Sequence, residues 1–334
     1  MTKHIVQIKP AGYLLFVEDG ETVLDSALKA GYEFPYSCGS ATCGTCMGKV
    51  ISGSFTYAGV EPYALDQTAQ DEGFALFCSV RPTSDMVIEL EDVYGPDFIP
   101  VRKAEYAIEK AEAVSDSVLR TWLKPKKKKI QYRAGQYLKV ITEENIPVPI
   151  SIANAPSSDE LIEIHIKVTD NACAQEISEK IRAGKPLKVR GPYGNMALEE
   201  QVDLPIIMIA GGVGVAPCKA LIEQALQNNR TRSIHLYWGG DSSSALYLSD
   251  WFIQLAAEYE NFQYTPVVNQ AEEFWQGETG LVHEVVAEHH DDLSGYQVFA
   301  SGPTEMVYAA FDKFTQQGLK PQLMFSDTFE CFPR

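Results

Sequence analysis

Three cysteines fall close together in the run YSCGSATCGTC at 36–46, namely Cys38, Cys43 and Cys46, and a fourth, Cys78, follows after 31 further residues. The spacing C-x4-C-x2-C…C suits thiolates that wrap a [2Fe–2S] cluster, one tight loop supplying three ligands and a distant segment the last. Gly39, Ser40, Ala41, Gly44 and Thr45 stand between them. Such small residues let backbone N–H groups close on inorganic sulfide, where a larger side chain would intervene. A structural zinc site asks instead for paired short spacings, and the sequence has no second pair. Cys38, Cys43, Cys46 and Cys78 are therefore expected to be the metal ligands of a [2Fe–2S] centre.

A second chemical signal lies in DLPIIMIAGGVGVAPCKALIEQALQ at 203–227, an apolar strand, a glycine-rich turn and a helical pattern. Gly211, Gly212 and Gly214, with Pro217 just beyond, would let backbone approach a pyrophosphate at a helix N-terminus. A plain strand–helix turn reads the same way on its own. Two later strands, SIHLYWGG at 233–240 and YQVFASGPTEM at 296–306, end in Gly239 and in Gly302–Pro303. A doubly wound sheet presents such turns at its carboxyl edge.

These sites require elements to hold them. The first 95 residues read as two alternating strands and a short amphipathic helix around the cysteine loop, an α+β [2Fe–2S] domain. They carry 13 acidic and 5 basic residues, a face suited to a basic partner. Residues 102–200 read as short strands parted by turn residues, an antiparallel β-barrel, and 201–334 as an α/β doubly wound domain. The run KPKKKK at 124–129 is a solvated hairpin tip or a docking patch for an acidic partner.

The whole chain of 334 residues has 28 basic and 45 acidic residues, a net charge of −17. That argues against a nucleic-acid partner. No stretch reaches the apolar length of a membrane span, and the opening MTKHIVQIKP lacks the apolar core of a signal peptide. The expectation is a cytoplasmic protein, where disulfides are rare and seven cysteines, four of them grouped, favour metal ligation.

AGQYL at 134–138, SIANAP at 151–156, RGPYG at 190–194 and the closing MFSDTFECF resemble the ferredoxin–NADP reductase superfamily. With a plant-type ferredoxin domain in front, the chain resembles the CDP-6-deoxy-glucoseen reductase-like proteins and the NADH-dependent reductases of aromatic-ring oxygenases. The resemblance implies FAD held by Ser151, Ile152, Ala153 and Asn154 and by Gly191, Pro192, Tyr193 and Gly194. It places the hydroxyl of Ser151 near flavin N5, Ser301 by the nicotinamide, and Phe329 as an aromatic cover on the flavin.

Departures qualify that implication. The family's R-x-Y-[ST] reads Val148-Pro149-Ile150-Ser151, without the cation and the aromatic. The phosphate turn, 170–174, reads DNACA without the expected Gly and Ser/Thr. A lost charge-assisted hydrogen bond and a lost aromatic stack together cost about 2–4.5 kcal/mol. That is roughly one to three decades of affinity, enough to make FAD dissociable; Arg133 or Lys167 are candidate replacement cations. Asp241 stands where the family has Arg and would repel the 2′-phosphate of NADPH, which favours NADH. Cys173, Cys218 and Cys331 read as structural or incidental thiols.

The expected activity is electron transfer from NADH through flavin to the cluster and on to a partner oxygenase or dehydratase component. Two alternatives share the same layout: a CDP-6-deoxy-glucoseen-type reductase, and a cluster-only carrier or partner-binding module whose flavin and nicotinamide sites have decayed.

Overall fold

Alternating apolar residues open the chain: Val6 and Ile8 on one strand and Leu15 and Val17 on the next are buried against a helix. The computed structural model describes residues 3–326 and Thr328, apart from 37, 58, 60, 61, 97, 98, 158, 195, 199–201 and 228–230. Two compact units, Met1–Phe98 and Ile99–Arg334, make up the chain.

In the first unit, β1 (Lys3–Lys9) and β2 (Tyr13–Glu18) form an antiparallel hairpin, followed by α1 (Val23–Lys29). The side chain of Thr22 caps α1 by accepting the N–H of Asp25 at 3.1 Å. Then come β3 (Met47–Ser52), β4 (Phe55–Tyr57), α2 (Gln67–Asp71), β5 (Phe74–Leu76), β6 (Val80–Pro82) and β7 (Met86–Glu89). The main sheet has the order β2-β1-β7-β3-β5, with β1 and β7 parallel. Val23, Leu24 and Ala27 of α1 lie on this sheet, as in a β-grasp fold. Ala41, Cys46 and Cys78 belong to the same core, so the cysteine loop is anchored where it enters β3 and where Cys78 parts β5 from β6.

The second unit begins with β8 (Arg102–Ser115), β9 (Val118–Pro125), β10 (Tyr137–Ile141), β11 (Pro147–Ser151), β12 (Ile162–Lys167), α3 (Ala172–Arg182) and β13 (Leu187–Tyr193). These strands form one antiparallel sheet in the order β11-β10-β13-β8-β9-β12. The expected barrel needs correction: among the described residues no sheet closes by a continuous ladder. The edge strands meet only where Ile152 bridges Ile164, and there Ala153 N–H also bonds the carbonyl of Glu163 at 2.7 Å.

The rest of the unit is a parallel sheet of β14 (Ile206–Gly211), β15 (Ile234–Gly240), β16 (Phe262–Val268), β17 (Glu278–Thr279), β18 (Gln297–Ser301) and β19 (Met324–Phe325). Its helices are α4 (Val215–Gln227), α5 (Ser249–Glu258), α6 (Val282–His289) and α7 (Thr304–Gln316). The sheet order is β17-β16-β15-β14-β18-β19. Every residue from Ile206 to Ala210 is buried, as a central parallel strand covered on both faces demands. Strand order reverses beside β14, so β15 lies on one side and β18 on the other. Ligands of open α/β sheets bind at such a switch point.

Candidate functional site

The four cysteines group two and two. Cys38 and Cys43 are exposed and interact with each other; Cys46 and Cys78 are buried and do likewise. Among the described residues no three ligand-type side chains converge on one point. Two pairs suit a two-iron centre, each iron taking two thiolates, better than one tetrahedral zinc. The backbone is already aimed at sulfur. Ala41 N–H points at Cys78 Sγ from 3.3 Å and Ser40 N–H at Cys38 Sγ from 3.4 Å. Ala41 holds φ 60°, a left-handed conformation unusual for a residue with a Cβ, and so turns its amide inward. Donation by the Thr42 hydroxyl and by Ser40 holds the Cys38 thiol down at about 5. Burial, aided by the neighbouring Cys78, pushes Cys46 up to about 12. Cys38 is thus ready as thiolate, while Cys46 needs a metal to draw off its proton.

In the second unit a cavity of about 930 Å³ opens at the switch point of the parallel sheet. The antiparallel lobe contributes Val148 to Ser151, His165, Lys167 and Ala174 to its wall. The parallel lobe contributes the 211–214 turn, Gly239, Asp241, Asn269 and Ser301 to Pro303. Ser151, Gly211, Gly212, Gly214, Gly239, Ser301, Gly302 and Pro303 therefore come together. Ile152, Ala153, Asn154, Gly191, Pro192, Tyr193, Gly194 and Pro217 stand behind or away from the wall. Tyr193 stacks on Tyr137, with ring centroids 5.6 Å apart, and the carbonyl of Gly194 accepts from Gln136 Nε2 at 2.9 Å, so RGPYG packs the sheet. Phe329, Asp327 and Cys331 lie outside the described residues.

The glycines of the turn divide their roles. A Cβ on Gly214 would stand 2.2 Å from the carbonyl oxygen of Ser301, so close packing of the two turns requires glycine there. Gly212, at φ +54°, has nothing within 4 Å of its Cβ position and is the point where a ligand can approach the backbone. Trp238 holds this turn from beneath: its indole N–H donates to the Gly212 carbonyl at 2.9 Å. Asp241 accepts from Asn269 Nδ2 at 3.1 Å, which fixes the carboxylate at the end of β15. His283, on the cavity wall, has a buried Nδ1 with no partner among the described residues. An open turn, an anchored acid and an unpaired ring nitrogen fit a dinucleotide.

The flavin side fits in shape more than in charge. The volume is at the upper end for a cofactor pocket, and Ile150 supplies an apolar wall. The N-terminus of α3, at the expected phosphate turn, is already capped: Asn171 Oδ1 accepts from the N–H groups of Cys173 and Ala174 at 3.0 and 3.2 Å.

From the cavity wall inward runs a buried polar hub that sequence reasoning missed. Glu163 Oε1 accepts from Arg120 Nε at 2.7 Å and from His165 Nε2 at 2.8 Å; its Oε2 accepts from Lys219 Nζ at 3.1 Å. His165 Nδ1 meets the Tyr247 hydroxyl at 2.9 Å. Burial alone would raise Glu163, but the His165 hydrogen bond, the Lys219 charge and Arg120 outweigh it and hold the carboxyl down at about 2. Burial pushes His165 down, against the pull of Glu163. The hub therefore holds an ionised Glu163 and a neutral His165, whose Nε2–H donates to the carboxylate while Nδ1 accepts from Tyr247. A signal was available: Glu163 and His165 interrupt an Ile-rich strand buried on both faces, and Lys219 sits in an apolar helical run.

Comparison with known proteins agrees with this division. Residues 6–83 match the 2Fe-2S iron-sulfur cluster binding domain, 105–198 the oxidoreductase FAD-binding domain and 208–312 the oxidoreductase NAD-binding domain. The chain is 33% identical to phenol hydroxylase P5 protein of Acinetobacter pittii, covering 97% of this chain and 94% of that one. It is 35% identical to CDP-6-deoxy-L-threo-D-glycero-4-hexulose-3-dehydrase reductase of Yersinia pseudotuberculosis, covering 97% and 98%. Among solved structures, the Amycolatopsis cytochrome P450 reductase GcoB aligns over 97% of this chain and 98% of that one, with a TM-score of 0.65 and 25% identity.

Proposed function

The chain belongs to the ferredoxin–NADP reductase superfamily, in the branch with an N-terminal plant-type [2Fe–2S] domain, and on that premise we propose that it draws electrons from NADH and passes them, by way of the cluster, to a partner oxygenase or dehydratase component. The observation that carries this reading is the single cavity uniting Ser151 with the 211–214 turn and Ser301. Its domain limits are taken as 1–95, 102–200 and 201–334, and its setting as the cytoplasm. No helix among the described residues is long and apolar enough to cross a membrane.

When bound, FAD supplies the conversion from a two-electron hydride donor to single-electron steps. The residues of this chain bind and orient. The amides of the open turn at Gly212 and the start of α4 receive the dinucleotide pyrophosphate. Asp241, held by Asn269, accepts from a ribose hydroxyl and repels a 2′-phosphate. Ser301, buried at the end of β18, faces the nicotinamide, and Ser151 offers its hydroxyl to the flavin edge. The apolar wall of Val148, Pro149 and Ile150 keeps water from the reacting centre.

The capped amides of α3 and the apolar residues at 148 and 150 favour one second reading, a cluster-only carrier. A single experiment separates the two. The purified chain, supplied with FAD, is expected to take it up, and NADH is expected to bleach both flavin and cluster absorbance, with NADPH much slower. Cluster bands without FAD uptake, and no bleaching by NADH, would favour the carrier. Equal rates with NADPH would remove the role given to Asp241.

A further inference from the structure

The helix that opens at the dinucleotide turn also grips the flavin segment. Lys219 lies one turn into α4 and is 2% exposed. Its ammonium donates to the backbone carbonyl of Ala153 at 3.0 Å, to Glu163 Oε2 at 3.1 Å and to Glu223 Oε1, so all three of its protons have acceptors. Glu223, four residues on, receives the N–H of Ala155 on its other oxygen at 2.9 Å. Two backbone groups of SIANAP, the run that begins at Ser151, are therefore held by side chains of the opposite lobe. On its other flank the same run is tied to β12: Asn154 Oδ1 accepts the N–H of Glu163 at 2.8 Å, beside the Ile152–Ile164 bridge. Tyr247, bonded to His165, adds a second tie between the lobes.

A charged amine is not buried this fully without a reason in its partners. Taking it from water is costly unless acceptors surround it, and here two carboxylates and one carbonyl do so. The carbonyl is the informative one, because it belongs to the segment that carries Ser151. Hydride transfer needs donor and acceptor within roughly 3–3.5 Å, so the two lobes must be held in register more tightly than apolar packing alone ensures.

We propose that Lys219 and Glu223 are positioning residues that clamp the flavin segment 151–155 to the dinucleotide helix, so that occupancy of the dinucleotide turn tightens the hold on FAD. The inference rests on the flavin reading of this cavity. By linkage, whatever factor NAD⁺ contributes to the equilibrium affinity for FAD, FAD contributes to the affinity for NAD⁺.

The test uses the full-length protein loaded with FAD and follows release of the flavin, by its gain in fluorescence on dilution, with and without saturating NAD⁺. Wild type is expected to release FAD about fivefold more slowly with NAD⁺ bound, at the lower end of typical coupling. Glu223→Gln leaves one oxygen where two were used, so it gives up either Ala155 or Lys219. That variant is expected to release FAD faster and to lose most of the NAD⁺ effect. Lys219→Met alone would take the shared cation from buried Glu163 and half-buried Glu223 and risks misfolding. The paired change Glu163→Gln with Lys219→Met removes opposite charges together and should behave like Glu223→Gln, with cluster absorbance unchanged. A variant that releases FAD faster but keeps the wild-type NAD⁺ ratio overturns the clamp, as does a wild type that holds FAD indifferently to NAD⁺. A wild type that takes up no FAD overturns the flavin reading, and the clamp with it.

Discussion

Cys46 and Cys78 differ from Cys38 and Cys43 in a way that bears on assembly: the first two sit in the core of their unit, while the second two are exposed. On the proposed cluster reading, replacing Cys78 by Ser removes one thiol of the buried pair that would tie the cluster to the core. Iron and acid-labile sulfide are expected to fall from about two each per chain to near zero, with loss of the visible bands. Cys173→Ser, distant from these residues in sequence and lying on α3, should leave both counts unchanged; colorimetric iron and sulfide assays check the pair. The grouping of Cys38, Cys43 and Cys46 was legible in the sequence because it is local, with the three cysteines and their spacers contiguous. The hub was not legible in the same way. Arg120, Glu163, Lys219 and Tyr247 are ordinary residues one by one and acquire meaning only when the chain folds them together. Lys219 best shows the limit: a lysine in an apolar helical run signals a buried charge, yet nothing local names its partners. Of the candidate replacement cations Lys167 stands on the cavity wall, whereas Lys219 reaches the 151–155 segment only through the backbone carbonyl of Ala153.

At the level of elements, the strand–turn–helix from β14 to α4 was readable from hydrophobic run and glycine content, and it stands at the switch point the topology requires. What the pattern left undecided is which glycine does what. The contact that forbids a side chain at 214 comes from Ser301, at the end of a strand far along the chain. Gly214→Ala is therefore expected to force β18 and the turn apart, lowering stability by about 1–3 kcal/mol. Gly212→Ala meets no atom and carries only the left-handed backbone penalty, about 1 kcal/mol. Thermal melts of the two variants beside wild type, together with NAD⁺ titrations, check the order; Gly214→Ala melting as high as Gly212→Ala would refute it. The antiparallel sheet was readable as short alternating strands, but its closure was not. Whether edge strands meet along a ladder or at one bridge depends on twist and register summed over six strands.

Over the whole molecule the acid side of the pH scale is where stability should fail first. Burial, with the charges of His290 and His289 adding to it, pushes His235 down to about 4, and burial pushes His165 and His290 down as well. A histidine depressed in the folded state takes up its proton first in the unfolded chain, near pH 6.5. Its contribution is therefore complete above about 6.5 and is lost as pH falls toward the folded value. Glu163 acts in the same direction further down, its contribution being lost as pH drops from the usual carboxylate range to about 2. Urea unfolding at pH 7 and pH 5 should show the wild type weaker at pH 5. His235→Gln, which keeps a polar partner for Thr265, should narrow that gap by about 1–2 kcal/mol after solvent screening. An unchanged gap would rule His235 out as a source. The division into two units has an optical corollary. All four tryptophans, Trp122, Trp238, Trp251 and Trp275, fall beyond residue 98, while all four cluster cysteines precede it. Tryptophan emission, excited where tyrosine does not absorb, thus belongs to the second unit, and cluster colour is assigned to the first. One cuvette, read at two wavelengths, follows each half of the molecule without a label, and Trp238, seated under the carbonyl of Gly212, carries the signal of the dinucleotide turn itself.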